Sequence, residues 1–440
     1  MNPLQASLDT AEAAVAELKK LGAQDALVRY RSARGVQCQV RDGRMEKLQE
    51  SVTAELTVHV YADGRYAAHT TNDLRKAELA SFLADAVKLT RMLDPDPARS
   101  LPPKELVLQK PTELGLFDPA YAKIDTDARK RLAQTAEAAG KTDKRVVSAT
   151  ADFSDEHGTT ALVGSNGTHG AQRDTWYSLS AEVTVAEGDK RPEDWWVSTS
   201  RSVKGLGDAE AVGKQAMQRA LDRVGAAKLK SAETTLVIEN RSAGRLLSYW
   251  LQALFGANLQ QKRSFLDGMV GKQVGPAKLF QLDDNPALVG GLGSRSFDRE
   301  GLVAKPLPIV DADGVLRNYF IDWYNAQRLK VQPTTGSWSN LVLNPGSEPL
   351  DKLLAGVDTG ILVTSFIGGN SNSLTGDFSL GIQGRVIDKG KLGAPVGEMN
   401  LSGNHKTFWN KLAAVGNDPY LYSSLRVPSL RFDGTAVSGA

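Results

Sequence analysis

Five histidines are scattered along the 440-residue chain: His59, His69, His157, His169 and His405. None stands at the H-E-x-x-H or H-x-x-x-H spacing that sets two imidazoles on one helix face around a zinc ion. One dense cluster, Asp152, Asp155, Glu156 and His157, offers the oxygen and nitrogen donors a cation needs, although a charged strand end open to solvent has the same composition. Asp377, Ser379 and the distant His405 are the side-chain types of a hydrolytic triad; TGDFS reads better as the start of a strand in which Asp377 bonds its own turn. Gly290, Gly291 and Gly293 run into SRSFD and miss the dinucleotide fingerprint, and the sequence has no P-loop and no G-x-S-x-G elbow. A different use is open to the loop Gly368, Gly369 and Asn370 with the following Gly376, Asp377 and Ser379. Backbone bared by glycine can receive an extended peptide by strand addition without any catalytic side chain, so these six are the candidate peptide-binding residues.

Composition narrows the partners. With 53 Lys+Arg against 51 Asp+Glu, net charge gives no drive toward nucleic acid or anionic lipid. The short basic runs, Arg29, Arg31 and Arg34 or Arg129, Lys130 and Arg131, read as solvated faces. Cys38 is the only cysteine, which excludes an internal disulfide and a multi-thiolate metal site; in VQCQV it reads as a small buried hydrophobe. No run approaches the roughly 20 apolar residues of a membrane span, and the first residues have no signal-peptide pattern, so a cytoplasmic protein is expected.

The elements that would position these residues follow from periodicity. Ser7 is a cap for a first helix ending at Gly22. Ala26–Tyr30, Gly35–Arg41, Met45–Val60 and Arg65–His69 then alternate as strands, joined by the hairpin dipeptides Asp42-Gly43 and Asp63-Gly64. Asp73 caps a helix to about Leu93, and Thr126–Ala139 forms another. Val146–Val163, Trp176–Val185 and Trp195–Val203 are extended, and Asp208 caps a helix. After a boundary near 226–232, TTLVIENRSAGRLLSYWLQALF reads as a strand feeding a buried amphipathic helix. Ser242 is its cap, Gly256 its stop, and Ser248, Tyr249, Gln252 and Ala253 form its less apolar strip. Pro306–Phe320 is a hairpin over Asp313-Gly314, Thr407–Val415 a short helix and Leu430–Val437 a closing strand. Adjacent Trp195 and Trp196 read as core, with a cavity or dimer contact as the other use. The expected fold is α+β: an N-terminal antiparallel meander with helices over 1–228, with a sub-boundary near 95–112, then a Gly-rich, mostly-β C-terminal domain over 232–440 that contains the buried helix.

Longer stretches carry a resemblance. The blocks DREGLVAKPLPIVDADGVLRNYFIDWYNAQRL, TGDFSLGIQGRVIDKGKLGAPVGEMNLSGN, AVGNDPYL and VPSLRFDGTAVSG, with GVQCQVRDGRMEKLQES and VYADGRYAAHTTND upstream, resemble the TldD/PmbA family, also known as modulators of DNA gyrase. The similarity runs through nearly the whole chain. It implies two-domain α+β subunits paired into a hollow dimer, in which the TldD-type subunit is a metallopeptidase acting on unfolded peptides and the TldE or PmbA type lacks the metal site. The catalytic branch carries H-E-x-x-x-H on a helix and a cysteine ligand near the C-terminus. By the resemblance that motif falls on SYWLQA, with Ser248 at the first histidine, Tyr249 at the glutamate and Ala253 at the second histidine. Neutral hydroxyls are poor zinc ligands, a methyl group is none, and PYLYSSLRV between Asp418 and Pro428 has no cysteine.

The resemblance therefore implies a TldE/PmbA-like subunit, non-catalytic alone, with no cofactor in this chain and zinc in a TldD-like partner. Its partners would be that metal-bearing subunit, or a second copy of itself, and an unfolded peptide. The alternatives are a homodimeric peptide-binding scaffold without a peptidase partner and a modulator of DNA gyrase, for which the neutral charge offers no support.

Overall fold

The computed structural model describes residues 2–439. Helix α1 (Pro3–Lys20) is capped by Asn2, whose side chain accepts from Leu4 N at 3.1 Å, and not by Ser7. Pro3 fits at the first helical position because its missing N–H would be unpaired there anyway. Ser7 lies one turn in, buried, donating to Pro3 O. Strands β1 (Asp25–Arg41), β2 (Arg44–Ala62) and β3 (Arg65–Thr71) follow, with Asp42-Gly43 and Asp63-Gly64 in the positive-φ conformation that tight hairpins require. The two strands expected within β1 are continuous, since Arg31 to Arg34 pair with β2 on one side and with β4 on the other. Helix α2 (Lys76–Thr90) starts three residues after Asp73, which accepts from Arg75 N instead of capping. Then come α3 (Thr126–Ala139, capped by Asp125), β4 (Val146–Gly164), β5 (His169–Val185), β6 (Glu193–Ser200) and α4 (Ala209–Leu221, capped by Asp208 as expected).

These strands form one antiparallel sheet in the order β3-β2-β1-β4-β5-β6. Ala161 and Val163 of β4 share a core with α1 and α2, while Ala149, Ala151 and Phe153 share one with α3 and α4. All five are odd-numbered, so period two puts the four helices on one face of the sheet. The other face carries Leu27 and Leu162, packed against Leu101, Leu108 and Phe297.

The C-terminal half begins with β7 (Ala232–Ile238), α5 (Asn240–Leu251) and α6 (Gly256–Gln260). Short strands β8 (Leu282–Asp284), β9 (Leu307–Val310) and β10 (Leu341–Leu343) are interleaved with α7 (Trp323–Leu329) and α8 (Leu350–Ala355). Long strands β11 (Thr359–Ser371), β12 (Asp377–Asp388) and β13 (Lys391–Asn404) lead to α9 (His405–Phe408), β14 (Leu412–Val415), β15 (Leu425–Arg426) and β16 (Leu430–Ser438). The main sheet runs β13-β12-β11-β7-β16-β14, and a further β13–β16 pairing closes it into a barrel. A four-stranded sheet, β15-β10-β8-β9, lies beside it. The fold is thus α+β, an antiparallel sheet with helices followed by a mostly-β barrel unit. Among the described residues no helix is long and apolar enough to cross a membrane.

Three local expectations are corrected here. The Thr407–Val415 segment is a helical turn only to Lys411 and then strand β14, because Leu412 and Val415 pair with β16. Glu239, not Ser242, occupies the cap position of α5; Ser242 is buried in the first turn. Gly256 opens α6 instead of ending α5, and a Cβ there would come within 2.9 Å of Asn325 Cβ.

Helix α5 sits in the largest core. Leu246, Leu247, Trp250, Leu251 and Leu254 meet Leu236, Val363 and Phe366 of the barrel and Leu282 and Leu341 of the small sheet. Trp250 is 1 % exposed and meets Phe280 edge-on at 5.2 Å. Replacing it by alanine would leave a large cavity, and Trp250→Ala is expected to cost about 3–5 kcal/mol of stability. Urea unfolding monitored by circular dichroism checks this; a loss under about 1 kcal/mol would contradict the packing described.

Candidate functional site

Strand β7 ends at Ile238, opposite Val363 of β11, and the chain turns straight into α5. From that point to its end β11 has lost its β7 neighbour, and its outward carbonyls need other donors. They come from α4 and α5. Thr364 O accepts from Arg219 Nη2 at 3.0 Å and Ser242 Oγ at 2.8 Å, Phe366 O from Arg245 Nη1 at 2.7 Å, and Gly368 O from Arg245 Nη2 at 3.3 Å.

The same arginines join a buried ionic network. Arg219 grips Glu239 with both forks, Nη1 to Oε2 at 2.9 Å and Nη2 to Oε1 at 2.6 Å, and Arg241 Nη2 donates to Asp194 Oδ1 at 3.0 Å. None of these four side chains is more than 11 % exposed. Burial pulls the Arg219 pKa down, but the Glu239 and Asp194 carboxylates together outweigh it and the pKa is raised. The network forms one wall of a cleft of about 860 Å³ between α4, the β5–β6 loop and the barrel, with Lys190, Arg223, Gln383 and Arg385 on its other sides. Arg241 also lies over the Trp195 ring at 4.4 Å, and Trp196 meets Tyr420 and Tyr422 edge-on at 6.3 and 6.4 Å. Nothing in the local sequence announces this cluster. The one available signal is a charged Glu239-Asn240-Arg241 directly after the apolar end of a buried strand.

Ser248, Tyr249 and Ala253 do not converge on a shared point. Ser248 Oγ donates back to Arg245 O at 2.7 Å, within its own helix. Tyr249 is half-buried, its ring against the main core. Ala253, expected on the open strip, is fully buried in a 3-10 turn that follows α5, where Ser264 Oγ donates to its carbonyl at 2.5 Å. The segment from Asp418 to Val427 does lie against the head of α5, with Asn240 Nδ2 donating to Asp418 O at 2.7 Å. What it brings there is Tyr420, whose pKa burial raises to about 12, and no thiol. These groups do not fit a zinc ion: two hydroxyl side chains and a methyl, one of the three sealed in the core. Among the described residues no group of three His, Cys, Asp or Glu side chains is close enough to hold a metal.

The remaining candidates separate just as clearly. On β4 period two sends Asp155 and His157 to the helix-bearing face and Asp152 and Glu156 to the other. Asp155 is held by Arg129 at 2.7 Å, His157 stacks on Tyr121 at 4.8 Å, Asp152 accepts from Gln37 at 2.6 Å, and Glu156 pairs with Arg31. Asp155 and its partner are buried, so this is not an exposed strand end. Asp377, Ser379 and His405 form no triad. Asp377 accepts from Asn404, Ser379 donates to Asn400, and His405 bonds Ser371 and accepts from Trp409 Nε1. Gly368, Gly369 and Asn370 are not a loop but a bulged part of β11. Asn370 pairs with Ser379, and a Cβ on Gly369 would meet Ser379 O at 2.5 Å. Gly376 precedes β12 at φ 88°. Asn370, Asp377 and Ser379 line a groove of about 690 Å³ with Asn372 and Ser402.

Two outcomes follow from this geometry. Rebuilding the motif with Ser248→His, Tyr249→Glu and Ala253→His is expected to yield no stoichiometric zinc by metal analysis. Ala253→His alone should lower stability by about 1–3 kcal/mol through overpacking; tight zinc binding by the triple variant would refute the site description. Burial lowers the His405 pKa from 6.5 to about 4. Because the unfolded chain takes the proton more readily, this contribution to stability is full above pH 6.5 and is lost as pH falls toward 4. His59 shifts in the same direction, so the check is a difference: His405→Gln should show a shallower decline than wild type across that window in denaturant titrations.

Comparison with known proteins shows the family. Three family models match: PmbA/TldA metallopeptidase domain 1 over residues 26–90, the central domain over 119–224 and the C-terminal domain over 231–439. Metalloprotease PmbA of Escherichia coli O157:H7 is 27 % identical over 435 residues, covering 98 % of this chain and 96 % of the relative. A crystal structure from Bacteroides thetaiotaomicron, described as a modulator of DNA gyrase, superposes with a TM-score of 0.95 at 39 % identity, covering 98 % of both chains. TldE from Thermococcus kodakarensis shares the fold, with a TM-score of 0.85 at 18 % identity over 98 % of this chain and all of that one. The chain belongs to the PmbA/TldD family.

Proposed function

We propose that this chain is the metal-free subunit of a TldD/TldE-type peptidase. It would pair with a metal-bearing TldD-like subunit and shape half of a chamber that holds unfolded peptides. In this reading residues 1–228 and 232–440 are its two domains, and zinc belongs to the partner. The observation that carries the reading is the state of the three motif positions. Ser248 is spent on its own helix, Ala253 is sealed in the core and the adjoining Asp418–Val427 segment offers no thiolate, so these positions supply no ligands for a metal ion that would activate water.

Peptide binding is assigned to the groove at the far end of the β11–β12 hairpin, where Asn370, Asp377 and Ser379 stand, because Arg219, Ser242 and Arg245 already satisfy the β11 carbonyls nearer α5. The test is reconstitution. Purified alone, the chain is expected to carry no stoichiometric zinc and to leave an unfolded peptide intact; mixed with a TldD-like subunit, it should form a mixed dimer by mass measurement and support cleavage. Robust hydrolysis by the chain alone, or a homodimer unchanged by adding the TldD-like subunit, would overturn the proposal.

A further inference from the structure

The sheet face turned away from α1–α4 contains a cavity of about 410 Å³. Strand register builds its floor. Arg29 and Arg31 on β1 stand beside Leu162 and Thr160 on β4, and Thr160 in turn beside Gln172 on β5. The segment Arg295–Arg299 closes it from the C-terminal half, and Arg201 enters just after β6. Five guanidinium groups thus meet in one cavity with three carboxylates.

Glu156 and Asp174 are committed to arginines, and Asp298 is committed through Oδ1 alone, its buried Oδ2 having no hydrogen-bond partner among the described residues. Glu156 is paired with Arg31, Asp174 lies 3.8 Å from Arg31 and 3.7 Å from Arg201, and Asp298 accepts from the backbone N–H of Glu300 and Leu302 at 3.0 and 3.1 Å. Two of the arginines are committed as well: Arg201 donates to Leu292 O at 2.6 Å and Arg295 to Thr335 Oγ1 at 3.0 Å. Arg29 and Arg299 differ. Among the described residues neither has a side-chain hydrogen bond or an ion pair. Arg29 is half-buried, and its pKa is lowered first by that burial and next by repulsion from Arg31, with Glu55 only partly offsetting. Arg299, which also lines the cavity, is exposed; a half-buried cation such as Arg29, crowded by Arg31, is unfavourable unless an anion joins it. The guanidinium fork matches the two oxygens of a planar oxyanion. Trp176, Leu162 and Phe297 give the same cavity an apolar side.

We propose that this cavity is an oxyanion site read by Arg29 and Arg299. Resting on the peptide-chamber reading above, its ligand is the C-terminal carboxylate of a peptide. A terminal carboxylate carries a side chain on the adjoining carbon, and Trp176, Leu162 and Phe297 stand where that side chain would be received.

The test uses the full chain, a labelled unfolded peptide lacking Asp and Glu made as the free acid and as the C-terminal amide, and inorganic phosphate as a second probe. Fluorescence anisotropy should show the acid binding wild type about tenfold or more tighter than the amide, in line with a charge-assisted pair of bonds. In the Arg29→Gln/Arg299→Gln double variant, which breaks no hydrogen bond or close ion pair among the described residues, that preference should vanish while amide binding is unchanged. Equal affinity of wild type for acid and amide would overturn the carboxylate assignment and leave the peptide reading standing. Failure of both peptides to bind, with calorimetric phosphate binding that the double variant abolishes, would uphold the oxyanion site and remove the peptide reading. If phosphate does not bind either, the site itself is overturned.

Discussion

The grip of Arg219 on Glu239, extended through Arg241 to Asp194, is the constraint on which the rest of the structure depends. Its members come from α4, from the turn between β7 and α5, from α5 itself and from β6, so one cluster fastens the first sheet to the barrel at the head of the central helix. Taking such charges out of water costs several kcal/mol per ion, and only close geometry with further hydrogen bonds offsets it. Here the bidentate contact, the Thr364 carbonyl and the second arginine supply that geometry. Against a well-packed apolar replacement the cluster has little net worth; removing a single partner would strand a buried charge at about 3–5 kcal/mol. Its consequence is therefore specificity of arrangement. It fixes the direction in which α5 leaves the sheet, and with it everything on the helix face.

That direction explains how a helix with no ligands remains central. Its apolar stripe is needed by two sheets at once, and its cations complete the backbone bonding of β11 where β7 stops. A polypeptide strand could in principle use the same edge. At Thr364, Phe366 and Gly368 it would have to displace Arg219, Ser242 and Arg245 from carbonyls they already satisfy. Strand addition is disfavoured there by the loss of charge-assisted hydrogen bonds, each stronger than the neutral bond replacing it.

Much of this was legible in the sequence, for physical reasons that differ from element to element. Asp-Gly dipeptides tolerate the positive φ at both central positions that a tight hairpin turn needs, so both early hairpins were readable, and the spacing of Leu246, Leu247, Trp250 and Leu251 left the buried face of α5 in no doubt. Helix caps were less secure. Ser7, Asp73 and Ser242 all have capping side chains, but tertiary contacts and a nearby proline or arginine decided where each helix begins. Gly368-Gly369 reads as a loop in isolation and is a bulge because β12 lies alongside. That positions 248, 249 and 253 carry Ser, Tyr and Ala was readable directly, since side-chain types are written in the sequence. The burial of Ala253 could also have been read, because it follows Leu246 by seven residues and Trp250 by three and so falls at the edge of the apolar stripe. The ionic network was invisible for a simpler reason: Asp194, Arg219 and Glu239 are far apart in the chain, and single ion pairs leave no periodic trace.

The electrostatics of α5 reach the same end as its chemistry by a separate route. Arg245 precedes Ser248 and Tyr249 by three and four residues, which places all three on one side of the helix. A divalent cation seated there, about 10 Å from that guanidinium at an effective dielectric constant of about 20, would meet a repulsion of about 3 kcal/mol. Arg245 cannot readily swing away, because its two Nη groups hold Phe366 O and Gly368 O. The side-chain types at 248, 249 and 253 and the arginine that pairs with the barrel edge thus act in the same direction. In this chain the guanidinium of α5 organises protein backbone, and a surface built for that task opposes a cation.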